Sequence, residues 1–169
     1  MNSRLLKRFC AVAVLALTGV LVFANTSVTT SSAQPAVLDD EAKGCSNETL
    51  DGNYGFTVHG QITTPAGIIN RDGVAMTHFD GAGNLTQTDF VLSNGVAVAP
   101  DFLGGETGTY TVNADCTGSG EIDSHGAVIK LKFVLTNHGR QIHTVVSSLT
   151  PPGAPGPVPA AIHSDAEKE

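Results

Sequence analysis

Between residues 45 and 150, hydrophobic and polar residues alternate in short runs, and each run ends in a turn-forming sequence. The clearest run covers residues 128–136, where every second residue from Ile129 to Leu135 is large and apolar. This period of two predicts a β-strand with one buried face. Asn94 and Gly95 predict a two-residue hairpin turn, because a type I′ turn needs positive φ at both central positions.

Eight segments have the pattern of a strand, at the spacing of roughly 8–12 residues that is typical of sandwiches and barrels. Short connections favour an up-and-down meander, which leaves two open edges unless the sheet closes on itself. The sequence therefore predicts an all-β domain over residues 45–150, an antiparallel up-and-down β-barrel of about eight strands. A β-sandwich is the alternative, disfavoured by the absence of Trp. The predicted strands are residues 53–64, 68–80, 85–93, 95–102, 106–114, 119–123, 128–136 and 140–149.

The first 33 residues have the features of a secretory signal peptide. Three cations precede an apolar run that extends to Ala24, and small residues suited to cleavage end at Ala24 and at Ala33. Cleavage after Ala33 is preferred, so the predicted signal peptide covers residues 1–33, with Ala24 as the alternative site. An uncleaved anchor is disfavoured, because the run is shorter than the about 20 residues of a spanning helix. The three cations are Arg4, Lys7 and Arg8.

The segments on either side of the predicted domain are expected to be mobile. Residues 34–44 contain three consecutive acidic residues and are predicted to form a flexible leader. Residues 151–159 repeat Pro and Gly, and residues 160–169 are small or charged. This composition predicts a Pro-rich disordered tail over residues 151–169.

The chain has three cysteines, and one of them, Cys10, lies in the predicted signal peptide. Cys45 and Cys116 then remain as the only pair in the mature chain. Because exported proteins meet oxidants, a disulfide between these two residues is predicted. A redox or metal-binding thiol pair is the alternative, but no CxxC spacing supports it.

The charge of the chain excludes some partners. The formal net charge is −7, and removing the predicted signal peptide would make the protein more acidic. An acidic protein repels phosphate backbones and anionic membrane surfaces. We therefore expect no binding to nucleic acid. The predicted signal peptide indicates a secreted or periplasmic protein that contacts the membrane only through this transient segment.

Four sequence segments resemble a group of small secreted bacterial proteins of unassigned function. They are Leu50-Asp-Gly-Asn-Tyr54, Phe79-Asp-Gly-Ala-Gly-Asn-Leu85, the segment GTYTVNADCTGSG at residues 108–120, and Gly139-Arg-Gln-Ile-His143. The resemblance spans most of residues 45–150. It implies a small barrel similar to lipocalins or to allene oxide cyclase, and it implies no activity and no catalytic residue.

Two sets of side chains are candidates for chemistry. His59, His78 and His143 each fall on a predicted strand and would converge on a metal if all three faced the lumen. Their spacing does not force them together, so exposed or hydrogen-bonded histidines are favoured. Glu121 and Asp123 share one face of a strand and would serve acid–base chemistry inside a lumen, although a solvated outer face is the favoured interpretation. The sequence thus predicts no catalytic residue, metal or cofactor.

The favoured functional hypothesis is an exported, non-enzymatic barrel that binds a small apolar ligand, because a closed sheet of about eight strands leaves room for one. Tyr54, Phe56, Tyr110 and Phe133 are the residues expected to line the lumen or fill the core. One alternative is a structural module that contacts an envelope or host protein. The other is a cyclase-like enzyme, which would require several convergent polar groups in the lumen.

Overall fold

The computed structural model describes residues 44–169, which form a closed antiparallel β-barrel of eight strands. Each barrel strand pairs with the strands before and after it in the chain, and the last strand, β9, pairs with the first, β1. A two-residue strand, β4, adds to β3 outside this circuit. The strands are β1 Asp51–Thr64, β2 Gly67–Asp80, β3 Asn84–Ser93, β4 Val96–Ala97, β5 Leu103–Val112, β6 Thr117–Ser124, β7 Ala127–Thr136, β8 Gln141–Thr150 and β9 Ala160–Lys168.

This architecture confirms the predicted fold class. Short 3-10 helices at Asn47–Thr49 and Asn137–Gly139 are the helical elements of the described residues, and none of these is long and apolar enough to span a membrane. Asn94 and Gly95 form the predicted hairpin turn, with φ of 50° and 78°. The predicted signal peptide, residues 1–33, and nearly all of the predicted leader lie outside the described residues.

Seven of the eight predicted strands form barrel strands, and the eighth strand of the barrel, β9, was not predicted. The predicted fourth strand, residues 95–102, contributes only the short β4, because Pro100 lacks the N–H that a longer ladder would need. Residues 160–168, placed in a disordered tail by the sequence analysis, form β9 instead. That part of the tail prediction is wrong, and the barrel extends beyond residue 150 to Lys168.

Strand β9 forms although its residues are small and polar, because it lies between two strands that need partners. It pairs with β1 from Tyr54 to Ile62 and with β8 from Gln141 to Val145. Its side chains alternate between the interior, where Ala166 is 4% exposed, and the solvent. Backbone hydrogen bonds on both sides, rather than strand propensity, therefore hold this segment in place.

The two ends of the barrel differ. One end, here called the closed end, contains residues 45–50 and the turns at 81–83, 113–116 and 137–140. The other, the open end, contains the turns at 65–66 and 125–126, the segment 98–102 and the Pro-rich link 151–159. This link is anchored where the Thr63 N–H donates to the Pro159 carbonyl over 2.9 Å.

Three aromatic rings fill the closed end. Phe79 packs edge-to-face on both Tyr54 and Tyr110, with ring centroids 5.4 and 5.0 Å apart, an arrangement that aromatic pairs favour. The Tyr54 hydroxyl donates to the Gly139 carbonyl over 2.7 Å, and the Tyr110 hydroxyl donates to the Leu50 carbonyl over 2.8 Å. The buried hydroxyls are thereby satisfied, and they fix the segments that cover this end of the barrel.

The disulfide joins Cys45 to Cys116, the pairing predicted from the sequence. It ties the start of the described chain to the turn between β5 and β6. The Cys45 N–H also donates to the Ala114 carbonyl over 3.2 Å, so this segment is fixed to that turn by the covalent bond and by the backbone.

Replacing Ala166 with Glu should destabilise the protein by at least about 3 kcal/mol, because the new carboxylate would be buried among apolar side chains without a partner. The matched variant Ala161→Glu changes an exposed position of the same strand and should leave stability within about 0.5 kcal/mol. Urea unfolding of both variants measures the difference. Equal stability would contradict the docking of β9.

Removing the disulfide with Cys45→Ser and Cys116→Ser together should lower the free energy of unfolding by about 4 kcal/mol, because the bond closes a loop spanning 71 residues. Urea unfolding of the double variant against the oxidised parent measures the loss. A parent whose midpoint does not move under reductant would contradict the predicted stabilisation.

Candidate functional site

The barrel encloses a cavity of about 430 Å³ that reaches the surface at the open end. Its floor includes Leu50 and Tyr110 at the closed end, and its mouth includes the exposed side chains of Val98 and Asp101. Most of its wall is aliphatic or aromatic. The apolar residues of the wall include Phe56, Val58, Ile62, Ala75, Leu85, Val91, Ile122, Ile129, Leu131, Phe133, Ile142, Val146 and Ile162.

Three of the four residues proposed from the sequence line this cavity: Phe56, Tyr110 and Phe133. Tyr54 does not. It is fully buried below the cavity, where its hydroxyl bonds to the Gly139 carbonyl. Tyr54 is therefore a core residue. The sequence analysis expected each of the four residues either to line the lumen or to fill the core.

One side of the barrel interior carries a row of polar side chains on β2, β3 and β5. The Thr77 hydroxyl donates to Gln87 Oε1 over 2.8 Å, and Gln87 Nε2 donates to Glu106 Oε2 over 2.6 Å. Thr77 and Gln87 line the cavity, whereas Glu106 is fully buried beside it. We call these three residues, together with Asp89, the polar wall.

A β-bulge in β5 lies directly before Glu106. Gln87 pairs with Glu106 and Asp89 pairs with Leu103, so β5 uses one residue more than β3 across this step. Gly105, with φ of +90°, accommodates the extra residue. As a result Leu103 and Glu106, three positions apart, both turn toward the interior.

Asp89 lines the cavity one step closer to the open end than Gln87. Burial and, to a lesser extent, the nearby charge of Glu106 raise the pKa of its carboxyl group from the ordinary value of 3.8 to about 6, while His125 acts in the opposite direction. The group therefore changes charge in a range where most aspartates stay ionised.

The opposite wall carries a second polar pair. The Thr144 and Ser164 hydroxyls, on the adjacent strands β8 and β9, form a hydrogen bond with each other. Both residues line the cavity. Because one hydroxyl donates to the other, the proton of the accepting hydroxyl stays available, and the pair adds hydrogen-bonding capacity without adding charge.

The candidate histidines do not converge. His59, His78 and His143 are all exposed, and each has its own partner on the outside of the barrel: Asp72 at 3.1 Å, Asn53 at 3.0 Å and Asp165 at 2.6 Å. Within residues 44–169, no group of three or more metal-ligating side chains is arranged to hold an ion.

Glu121 and Asp123 also face the solvent. Glu121 forms an ion pair with Lys130 at 3.3 Å, and Asp123 accepts a hydrogen bond from the Gly126 N–H in the following turn. The favoured interpretation, a solvated outer face, describes their position in the structure.

The polar wall was missed in the sequence analysis, although a signal was present. Glu106 lies four residues before Tyr110, and Gln87 and Asp89 lie two and four residues after Leu85. Tyr110 and Leu85 are both buried. Alternation along each strand therefore places all three on the inner face.

The comparisons with known proteins add little to this geometry. No family model matches the chain, and no curated protein matches it. A solved structure of an S-type phycobiliprotein lyase from Guillardia theta is similar over 73% of this chain and 90% of that one, with 8% identity and a TM-score of 0.46. A similarity at this level does not identify a family or an activity, so the fold assignment depends on the strand pairing described above.

Asp89→Asn should stabilise the protein at pH 8 and leave it unchanged below pH 4. Because the folded-state pKa of Asp89 is raised, the protonated carboxyl group is the form that favours folding. Its contribution to the free energy of unfolding is fully present below about pH 3.8 and is lost as the pH rises through about 6, and the Asn side chain, which carries no charge, avoids this loss. With partial solvent screening we expect a gain of about 1 kcal/mol at pH 8, measured by urea unfolding.

The matched control is Asp72→Asn on the outer face of β2, where the side chain is 56% exposed. Its stability should stay within about 0.5 kcal/mol of the parent at both pH values. A pH-independent effect of Asp89→Asn would show that the ionised carboxylate is not penalised in the lumen.

Proposed function

We propose that this protein binds a small, mostly apolar ligand in its barrel lumen, and that it acts outside the cytoplasm as a non-enzymatic binding protein. The observation that carries the proposal is the apolar cavity of about 430 Å³ that opens at one end of the barrel. Ligand pockets of proteins fall in the range of roughly 300–1,000 Å³, with mainly apolar walls and a few polar groups.

The distribution of side chains along the barrel axis supports this proposal. An eight-stranded barrel is just wide enough to be filled by its own side chains or to hold one small ligand. Here the large rings of Tyr54, Phe79 and Tyr110 fill the closed end, while smaller residues such as Ala75 and Ala127 surround the space above them. Large side chains therefore fill the closed end of the lumen, and the space toward the open end stays available for a ligand.

The rim of the open end also suits an apolar ligand. Val96, Val98 and Phe102 are 69%, 56% and 57% exposed, and Phe102 packs on Phe90 with ring centroids 5.6 Å apart. Val98 and Phe90 line the cavity as well, so the apolar surface continues from the exterior into the lumen. Such a path lowers the cost of ligand entry, because the ligand exchanges water for apolar contacts on the way.

Two features support action outside the cytoplasm. The sequence predicts a signal peptide over residues 1–33, and the disulfide between Cys45 and Cys116 belongs to a bond class that persists in oxidising compartments. Both fit a secreted or periplasmic protein.

Catalysis in the lumen is a second candidate, favoured by one observation. Asp89, with a pKa near 6, lies in an apolar cavity and would exchange protons with a bound substrate near neutral pH. Mass spectrometry of a lumen ligand after prolonged incubation separates the two candidates. A ligand recovered unchanged supports the binding protein, and a product of altered structure supports the enzyme.

Ala75→Phe should weaken binding of the neutral fluorescent probe N-phenyl-1-naphthylamine by at least about tenfold, because the added ring would occupy the lumen. Ala161→Phe adds the same ring to an exposed position on β9 and should leave binding unchanged. Fluorescence titration measures both affinities, and thermal unfolding verifies that both variants are folded. Equal probe binding by the parent and by folded Ala75→Phe would contradict a lumen site.

A further inference from the structure

The strongest unexplained feature beside the lumen is the carboxylate of Glu106. The residue is 0% exposed, and Gln87 Nε2 donates to its Oε2, but its Oε1 has no hydrogen-bond partner. A carboxylate oxygen that is removed from water without a donor is unfavourable. The negative charge of Glu106 is therefore only partly compensated.

A second carboxylate lies close to the first. Asp89 lines the cavity, and burial together with the nearby charge of Glu106 raises the pKa of its carboxyl group. Within residues 44–169, no Lys, Arg or His nitrogen lies within 4.0 Å of a carboxylate oxygen of either residue. Two neighbouring carboxylates without a cation between them create a region of negative potential beside an apolar cavity.

The remaining charged groups around the cavity do not remove this imbalance. Arg71 and His125 line it, but so does a third carboxylate, Asp101, at the mouth. Arg71 pairs in register with Ser93 at the open end, and its Nε is buried without a hydrogen-bond partner. Its positive charge therefore lies toward the open end, away from the carboxylates of Asp89 and Glu106.

We propose that the ligand carries a protonated amine, whose N–H donates to Asp89, beside the buried carboxylate of Glu106, while its apolar part fills the lumen. This inference rests on the proposed function and specifies the ligand class. A primary ammonium fits best, because it combines positive charge with a hydrogen-bond donor. A quaternary ammonium supplies the charge without a donor, and an alcohol supplies a donor without the charge.

Four ligands with the same eight-carbon chain test the proposal: octylamine, octyltrimethylammonium, octanol and octanoate. Isothermal titration of the purified full-chain protein at pH 8 should give an affinity for octylamine at least about tenfold higher than for octanol, since a charge-assisted hydrogen bond contributes that much. Octyltrimethylammonium should bind more weakly than octylamine, and octanoate most weakly. Octanol or octanoate binding as tightly as octylamine would overturn the proposal.

Variants assign the preference to the polar wall. Glu106→Gln and Asp89→Asn keep the shape of each side chain and remove its charge, so each should reduce octylamine affinity by about tenfold and leave octanol affinity unchanged. Glu121→Gln and Asp72→Asn make the same changes on the outer face and should keep the preference. If Glu106→Gln does not fold, Asp89→Asn alone decides. Full octylamine preference in the folded lumen variants would overturn the proposal.

The pH dependence supplies a further readout. The titratable and charged groups around Asp89 are Arg71, Asp101, Glu106 and His125. Protonation of Asp89 as the pH falls from 8 to 5 should reduce the preference for octylamine over octanol several-fold, while octanol affinity stays constant. A preference that rises on acidification would overturn the proposal.

The outcomes also separate this inference from the function on which it rests. Binding of octanol without any preference for octylamine would support an apolar ligand site and overturn the amine proposal alone. Failure of all four ligands and of N-phenyl-1-naphthylamine to bind would overturn both.

Discussion

Closure of the sheet is the constraint on which the rest of this structure depends. Strand β9 pairs with β1 on one side and with β8 on the other, so the barrel strands have no unpaired edge. Without β9, β1 and β8 would each present a row of free N–H and C=O groups. The lumen would then be an open face, so the cavity is a consequence of backbone pairing by a segment with little apolar character.

The four sequence segments singled out in the sequence analysis meet at the closed end. Tyr54 comes from the first segment, Phe79 from the second, Tyr110 from the third and Gly139 from the fourth. A side chain at Gly139 would collide with Thr49, since a Cβ atom would lie 2.6 Å from its Cγ2 atom. These positions therefore cover one end of the barrel.

The sequence was sufficient for the fold class because the signals that determine it are local. Alternation in residues 128–136 and the Asn94-Gly95 turn each depend on a few neighbouring residues. Strand β9 was not predictable in this way, because Ser164 and Asp165 have low strand propensity and the segment is held by long-range pairing. The lumen residues were only partly predictable. The alternation of side chains along β5 indicates that Glu106 faces inward. The bulge at Gly105 and the contact between Glu106 and Gln87 depend on pairing between strands and could not be predicted from the sequence.

An apolar cavity alone would be built more stably without the polar wall. Replacing Gln87 and Glu106 with aliphatic residues would remove a buried carboxylate and its unpartnered oxygen, and such replacements are often neutral or stabilising. The chain instead keeps Glu106 on the inner face, and it places Asp89 nearby, where burial disfavours its charge. Arrangements that oppose stability tend to occur at functional sites. Under the proposed function, the volume of the lumen limits the size of the ligand, and the polar wall, which has no structural advantage of its own, determines its chemistry.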